Sequence, residues 1–202
     1  MGGTKMISAI LLASGYGSRM KQPKLLLPVA GTPMIRCVAQ AVQASRIDES
    51  VLIYREAAVR EATADLVNRT IYNPRAHLGQ SEAVKLGIKS LHPESHACFF
   101  VMGDQPMIGA DVFNQLIQVF EKNPDKILVP AYQGKKGSPV LFPMQFWPLL
   151  LQLTGDQGGR TLLASLGESG VMVAVADAFA GKDVDTWEAY LALTEKMKRE
   201  QP

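Results

Sequence analysis

Residues Ile7–Val29 read ISAILLASGYGSRMKQPKLLLPV, and they carry the strongest structural signal in the chain. It begins with an apolar run, Ile7–Ala13, of the length expected for a buried strand. A loop of small residues follows at 14–18, and Arg19 and Lys24 come close behind it. Glycines let backbone N–H groups approach phosphate oxygens, and cations offset the charge that develops when a phosphoryl bond breaks. The stretch therefore predicts a strand that feeds a triphosphate-binding loop.

This loop differs from the two commonest glycine motifs. No Gly-Lys pair follows it, as a P-loop would require, and Met20 stands where a dinucleotide-binding loop has its third glycine. The G-x-G spacing alone is equally compatible with a tight strand-to-helix turn. The longer pattern LLASGYGSRMKQPKLLLPVAGTPMI resembles the signature of the nucleotidyltransferases of the GT-A-like fold. Within them it is most similar to the molybdenum-cofactor cytidylyltransferase branch.

Composition limits the class of protein. The chain has 202 residues, 47% of them hydrophobic, which predicts one domain over 1–202 with a core at about 6–193. A net charge of +2 argues against nucleic acid or an anionic membrane as a partner. No apolar segment reaches the length of a membrane span or has the form of a signal peptide. With two cysteines in apolar patterns and no CxxC spacing, we expect a cytoplasmic protein with reduced thiols.

Short apolar runs alternate with helical patterns along the chain. This alternation predicts an α/β fold, a single-domain Rossmann-like three-layer sandwich with a mostly parallel central sheet. The predicted helices include an alanine-rich one at 56–67 and one at 81–91 that starts with Ser81 as its N-cap. After Pro130, the sequence GKKG at 134–137 predicts a small hairpin excursion.

An acidic residue, Asp104, follows the apolar run at 97–102. Ligands of open α/β sheets bind beyond the carboxyl ends of the strands, where the loop after Ile7–Ala13 should also open. Asp104 and Lys24 should therefore converge. A carboxylate facing a triphosphate is most useful as a Mg²⁺ ligand. The alternative is an ordinary turn aspartate before Pro106.

The resemblance also implies a second acidic ligand for the metal. The family has a D-[IV]-D-T run where this chain has Asp183-Val184-Asp185-Thr186, so either aspartate is a candidate beside Asp104. Mg²⁺ is the expected metal, with Mn²⁺ as a substitute. The alternative is that the run only caps the last helix.

The catalytic residues predicted from the motifs and the resemblance are Arg19, Lys24 and Asp104. The predicted nucleotide-binding residues lie in the first loop and before the helix at 81–91: Leu12, Ala13, Ser14, Gly15, Gly17, Ser18, Arg19, Lys24, Gly79, Gln80 and Ser81. Ser138, Asp156 and Arg160 occupy the places where the family shapes its acceptor pocket. Ser138 replaces the histidine that is more usual there.

The resemblance implies transfer of a nucleoside monophosphate onto a phosphorylated acceptor, with molybdopterin as the acceptor and a molybdoenzyme or its chaperone as a further partner. CTP is favoured over GTP because Ser14 is closer in size to the alanine of cytidylyl-transferring relatives than to the glycine of guanylyl-transferring ones. The alternatives are a guanylyltransferase on the same cofactor, a sugar-phosphate nucleotidyltransferase and a non-catalytic nucleotide-binding chaperone.

Overall fold

The buried apolar runs form the strands of one central sheet in the computed structural model, which describes residues 5–16, 23–165 and 170–200. The strands are β1 (Met6–Ala13), β2 (Pro28–Val29), β3 (Thr32–Pro33), β4 (Glu49–Tyr54), β5 (Arg69–Tyr72), β6 (Ser95–Met102), β7 (Ile127–Tyr132), β8 (Lys135–Lys136), β9 (Val140–Pro143) and β10 (Gly170–Val175). The helices are α1 (Met34–Gln43), α2 (Ala57–Glu61), α3 (Gln80–Lys89), α4 (Ala110–Lys122), α5 (Trp147–Leu150), α6 (Gly159–Ser165) and α7 (Trp187–Glu200).

The central sheet has the strand order β10–β7–β9–β6–β1–β4–β5, with β8 paired to β7. Strand β1 pairs in parallel with both β4 and β6, and β4 pairs in parallel with β5. Strand β9 lies antiparallel between β6 and β7. The loops that follow β1, β4, β5 and β6 therefore open at one edge of the sheet, which is where the candidate site lies.

Helices cover both faces of this sheet because the strand residues alternate between two hydrophobic cores. Ile7, Ala9 and Leu11 of β1 face the core that includes α1 and α4. Ile10 and Leu12 face the second core, to which α3, α5 and α6 contribute. The predicted three-layer α/β fold with a mostly parallel sheet is confirmed.

Several local predictions need correction. Helix α2 ends at Glu61 instead of continuing to Val67. Thr63 Oγ1 donates to the carbonyl of Val59 at 3.0 Å and therefore uses an acceptor that a continuing helix needs. Helix α3 begins at Gln80 with Gly79 as its N-cap, so Ser81 is not the cap.

The hairpin after Pro130 is formed by β7 and the short strand β8. Gln133 and Gly134 form its turn, both with positive φ, at 50° and 76°. The returning strand β9 joins the central sheet itself. Among the described residues, no helix combines the length and apolarity needed to cross a membrane.

Candidate active site

A lysine ammonium lies between two carboxylates at the open edge of the sheet. Lys24 Nζ donates to Asp104 Oδ2 at 2.5 Å and to Asp185 Oδ1 at 2.7 Å. The side chains of Lys24 and Asp104 are 14% and 13% exposed, whereas that of Asp185 is 46% exposed. The predicted convergence of Lys24 and Asp104 is present, and the two residues are 80 positions apart in sequence.

Backbone hydrogen bonds set the position of this cluster. Gly103 N donates to the carbonyl of Leu12 at 3.2 Å, which ties the end of β6 to the end of β1. Val184 N donates to the carbonyl of Asp104 at 3.0 Å, so the acidic segment is held directly against β6. Lys24 begins a one-turn 3₁₀ helix, Lys24–Leu26, that directs the ammonium toward both carboxylates. The cluster is therefore built from main-chain contacts among three distant parts of the chain.

The charges of the cluster compensate one another. Burial alone would lower the pKa of Lys24, but the charges and hydrogen bonds of Asp104 and Asp185 outweigh it, so the pKa is raised. The second carboxylate oxygen of Asp104, Oδ1, is buried and has no hydrogen-bond partner among the described residues. An unpartnered buried carboxylate oxygen is a hard donor, which suits Mg²⁺ or Mn²⁺.

The acidic side chains by themselves do not make a closed metal cage. Within residues 5–16, 23–165 and 170–200, no three acidic, histidine or cysteine side chains gather closely enough to hold a metal ion. Phosphate oxygens of a bound nucleotide would complete the coordination of a cation held by two carboxylates. The residues fit a cation that arrives with its nucleotide.

Asp183 has partners different from those of Asp185. Gln105 Nε2 donates to Asp183 Oδ1 at 2.8 Å, and the Arg160 guanidinium is 3.7 Å from Oδ2. Burial, followed by the nearby charge of Asp104, raises the pKa of Asp183. Asp185 therefore shares the ammonium with Asp104, while Asp183 connects the cluster to Arg160. The assignment of either one as the second metal ligand stays a prediction.

The cluster borders a cleft of about 990 Å³. Most of the predicted site residues line it: Leu12, Ala13, Ser14, Gly15, Lys24, Gly79, Gln80, Asp104, Asp156 and Asp185. Gly17, Ser18 and Arg19 lie outside the described residues. Ser81 does not line the cleft; it is buried, and its hydroxyl has no described partner.

Gly79 forms part of one wall of the cleft and has a φ of 104°. A Cβ at this position would lie 2.3 Å from the backbone carbonyl of Gly155. Ser81 N donates to the same carbonyl at 3.0 Å. Only glycine satisfies both the positive φ and this close approach, which brings Asp156 to the nucleotide side of the site.

Arg160 lines a second, smaller cavity of about 240 Å³ together with Lys136. Next to it, Ser138 is buried, and its carbonyl accepts a 2.7 Å hydrogen bond from the Tyr132 hydroxyl. A Cβ on Gly137 or on Gly181 would lie 2.6 or 2.1 Å from the same tyrosine ring. Of the three predicted acceptor residues, Ser138 and Arg160 are therefore on this side and Asp156 is not.

Asn73 begins the stretch that leads to Gly79 and Gln80 and is not among the predicted site residues, but the structure brings it to the site. Asn73 Nδ2 donates to Ser14 Oγ at 2.9 Å. Its position directly after β5, at the same sheet edge as Asp104, is the signal that could have identified it. Tyr16 and Glu56 also line the cleft, and Arg55 lies 4.4 Å from the centre of the Tyr16 ring.

Comparison with known proteins is consistent with this geometry. One family model, described as the MobA-like NTP transferase domain, matches residues 9–171. The chain is 26% identical over 196 residues to the purine catabolism protein PucB of Bacillus subtilis. The aligned region covers 90% of this chain and 92% of PucB.

Solved structures show the same architecture. The manganese complex of Rv0371c from Mycobacterium tuberculosis is 26% identical in sequence to this chain and superposes on it with a TM-score of 0.77. The match covers 96% of this chain and 100% of the Rv0371c chain. A nucleotidyl transferase from Methanothermobacter, Mth528, is 20% identical with a TM-score of 0.83, and the match covers 97% and 99% of the two chains. At 20% identity, the likeness to Mth528 shows a shared fold only.

Proposed function

Since the chain belongs to the family of MobA-like NTP transferase domains, we propose that it transfers CMP from CTP to a phosphorylated acceptor and releases pyrophosphate. The acceptor proposed is a molybdopterin. The observation that carries the proposal is the ammonium of Lys24 between Asp104 and Asp185 at the edge of a nucleotide-sized cleft. A cation beside acidic metal ligands is the arrangement that phosphoryl transfer requires.

The proposed reaction is an in-line displacement at the α-phosphorus. A phosphate oxygen of the acceptor forms the new P–O bond, and the bond to the β-phosphate oxygen breaks. Backbone N–H groups of the loop that follows Ser14, at 15–18, and the Lys24 ammonium would hold the departing pyrophosphate and offset its charge. Asp104, with Asp183 or Asp185, would hold a divalent cation such as Mg²⁺, which supplies additional positive charge at the phosphates when bound.

The acceptor would approach from the side of Arg160. This guanidinium is 3.7 Å from Asp183 and lines the second cavity with Lys136, so two cations border that cavity. A guanidinium suits phosphate because its N–H groups match the spacing of two phosphate oxygens. An anionic acceptor is therefore favoured over a neutral one.

Pyrophosphate release tests the proposal directly. Purified protein would be incubated with each of the four NTPs and Mg²⁺, with and without molybdopterin, and Asp104→Ala would serve as the inactive control. We expect release only with CTP and molybdopterin together. Release with GTP and molybdopterin instead would assign the guanylyltransferase alternative. Release in a further set of incubations, in which a sugar 1-phosphate replaces molybdopterin beside each NTP, would assign the sugar-phosphate alternative. Nucleotide binding without release from any acceptor would favour the non-catalytic chaperone.

A further inference from the structure

We propose, building on the nucleotide role proposed above, that Asn73 holds the Ser14 hydroxyl as a hydrogen-bond donor toward the nucleobase and thereby selects cytosine over guanine. Asn73 is a positioning residue in this proposal, because it acts on the base through Ser14.

The orientation of the Asn73 side chain is determined by its neighbours. Its amide oxygen accepts from Arg75 N at 3.0 Å, and its amide nitrogen donates to Ser14 Oγ at 2.9 Å. Its backbone N–H donates to the carbonyl of Tyr54 at 2.8 Å. Asn73 is 2% exposed, so water cannot replace these partners. Rotating the amide by half a turn would place its N–H groups against the N–H of Arg75, so the amide nitrogen must face Ser14.

This contact determines what Ser14 offers to the cleft. A serine hydroxyl has one proton and two lone pairs, and one lone pair is used by Asn73. No described residue accepts the remaining proton. Ser14 is 5% exposed and lines the cleft, so a ligand there would meet a hydroxyl donor.

Sheet topology places Ser14 at the base end of the cleft. The phosphates belong with Lys24 and Asp104, which lie on the β6 side of β1. Ser14 bonds in the opposite direction, toward the residue that follows β5. The chain then continues from Asn73 through the 3₁₀ helix Ala76–Leu78 to Gly79, in a wall of the cleft that also includes Gln80 and Asp156. A base extending away from the phosphates would therefore reach Ser14 and this wall.

The two bases differ at the atoms that would meet the hydroxyl. Cytosine presents the acceptors O2 and N3 and the N4–H donor on its pairing edge, whereas guanine presents the N2–H and N1–H donors and the O6 acceptor. When the two bases share one orientation to the sugar, a hydroxyl that meets O2 or N3 of cytosine therefore meets N2–H or N1–H of guanine. A donor facing a donor leaves both polar groups without a partner, and an unpaired buried polar group weakens binding by about tenfold. Discrimination by a site built to hydrogen-bond one partner is therefore expected to be at least about tenfold.

The test is Asn73→Asp, which preserves shape and the bond from Arg75 but replaces the amide donor with an acceptor. The serine proton would then point to the carboxylate, and the hydroxyl would offer lone pairs to the base. We expect the ratio of CTP to GTP affinity, measured by competition with a labelled nucleotide, to fall about tenfold or more. The added charge repels both triphosphates, so it cancels in the ratio. Asn68→Asp is the matched control, because Asn68 accepts from Ser50 at the start of β4 and keeps those bonds.

Ser14→Ala is a second, independent variant, which keeps a side chain of similar size but removes the hydroxyl donor. It should weaken CTP binding and relieve the donor–donor contact with guanine, so the ratio of CTP to GTP affinity should fall here too. Wild-type preference for CTP together with a lowered ratio in Asn73→Asp supports the proposal. An unchanged ratio in Asn73→Asp and Ser14→Ala, with CTP still preferred, overturns it and leaves the proposed transferase function intact. A wild-type preference for GTP overturns it as well. A wild-type protein that binds neither nucleotide overturns both proposals.

Discussion

Removing the Lys24 ammonium should turn the two carboxylates into a stronger site for a divalent cation. In the absence of nucleotide the ammonium donates to Asp104 and Asp185, so an incoming cation must displace it from at least one of them. A hydrogen bond between charged groups is worth about 1.5–3 kcal/mol. In Lys24→Ala this cost disappears, and the cation should bind roughly 10- to 150-fold more tightly.

Titration with Mn²⁺ measures this effect without any dependence on catalysis. Free Mn²⁺ is followed by its electron paramagnetic resonance signal as protein is added in the absence of nucleotide. Lys85→Ala is the matched control, because it removes a lysine that pairs with Glu82 on α3 at 3.1 Å and does not line the cleft. The same Lys24→Ala protein should lose turnover with CTP, and it should lose more in turnover than in nucleotide affinity.

Lys24→Ala is expected to tighten Mn²⁺ binding and to lower turnover, and each of these two effects can be refuted separately. If Lys24→Ala binds Mn²⁺ no more tightly than the wild type and the Lys85→Ala control do, Asp104 and Asp185 are not the cation site. If turnover is unchanged while the Michaelis constant for CTP rises, Lys24 contributes to ground-state binding and not to departure of pyrophosphate.

Asp104→Ala should lower Mg²⁺-dependent turnover about a hundredfold or more with an unchanged circular dichroism spectrum, and wild-type activity in this variant would contradict the metal role. Glu49→Gln should cost about 1–2 kcal/mol in urea unfolding at pH 7, since Glu49 is buried and accepts from Ser8 at 2.9 Å and from the backbone of His92 at 3.0 Å. Burial alone would raise the pKa of Glu49, but its hydrogen bonds and Arg69 outweigh it and lower the pKa below 4.5, so the difference from wild type should disappear as the pH falls through that lowered value; a difference that persists at pH 2 would refute this. Gly79→Ala should destabilise the protein by at least about 3 kcal/mol, against about 1 kcal/mol for Gly134→Ala, which has positive φ but no atom within 4 Å of the added Cβ; equal losses would show that the close approach to Gly155 is unimportant.

The parts of the fold that follow from local pattern could be predicted from the sequence. The apolar runs of β1 and β6 are unambiguous because both strands are buried on both faces. The place of Asp104 followed from one rule about the carboxyl ends of parallel strands. Lys24 and Asp104 could be paired on that basis alone.

Contacts that depend on the packing of distant segments could not be predicted. Lys24 meets Asp185 across 161 positions, and nothing in either local sequence encodes that distance. The bond between Asn73 and Ser14 likewise depends on the order of β1, β4 and β5 in the sheet. The alanine-rich sequence predicts a longer α2 because alanine favours helix. The hydrogen bond from the Thr63 hydroxyl to the Val59 carbonyl, which competes with continuation of the helix, exists only in the folded chain.

The Tyr132 ring has a consequence for how this protein can be recombined with its relatives. The ring separates Gly137, beside the proposed acceptor side, from Gly181, at the start of the acidic segment, and it lies too close to both for a Cβ on either. A loop transplanted around 137 that shifts this ring would displace the segment carrying Asp183 and Asp185 as well. A chimera should therefore take Tyr132, Gly137 and Gly181 from the same protein, because a crossover between them would combine the ring of one protein with glycine segments fitted to another.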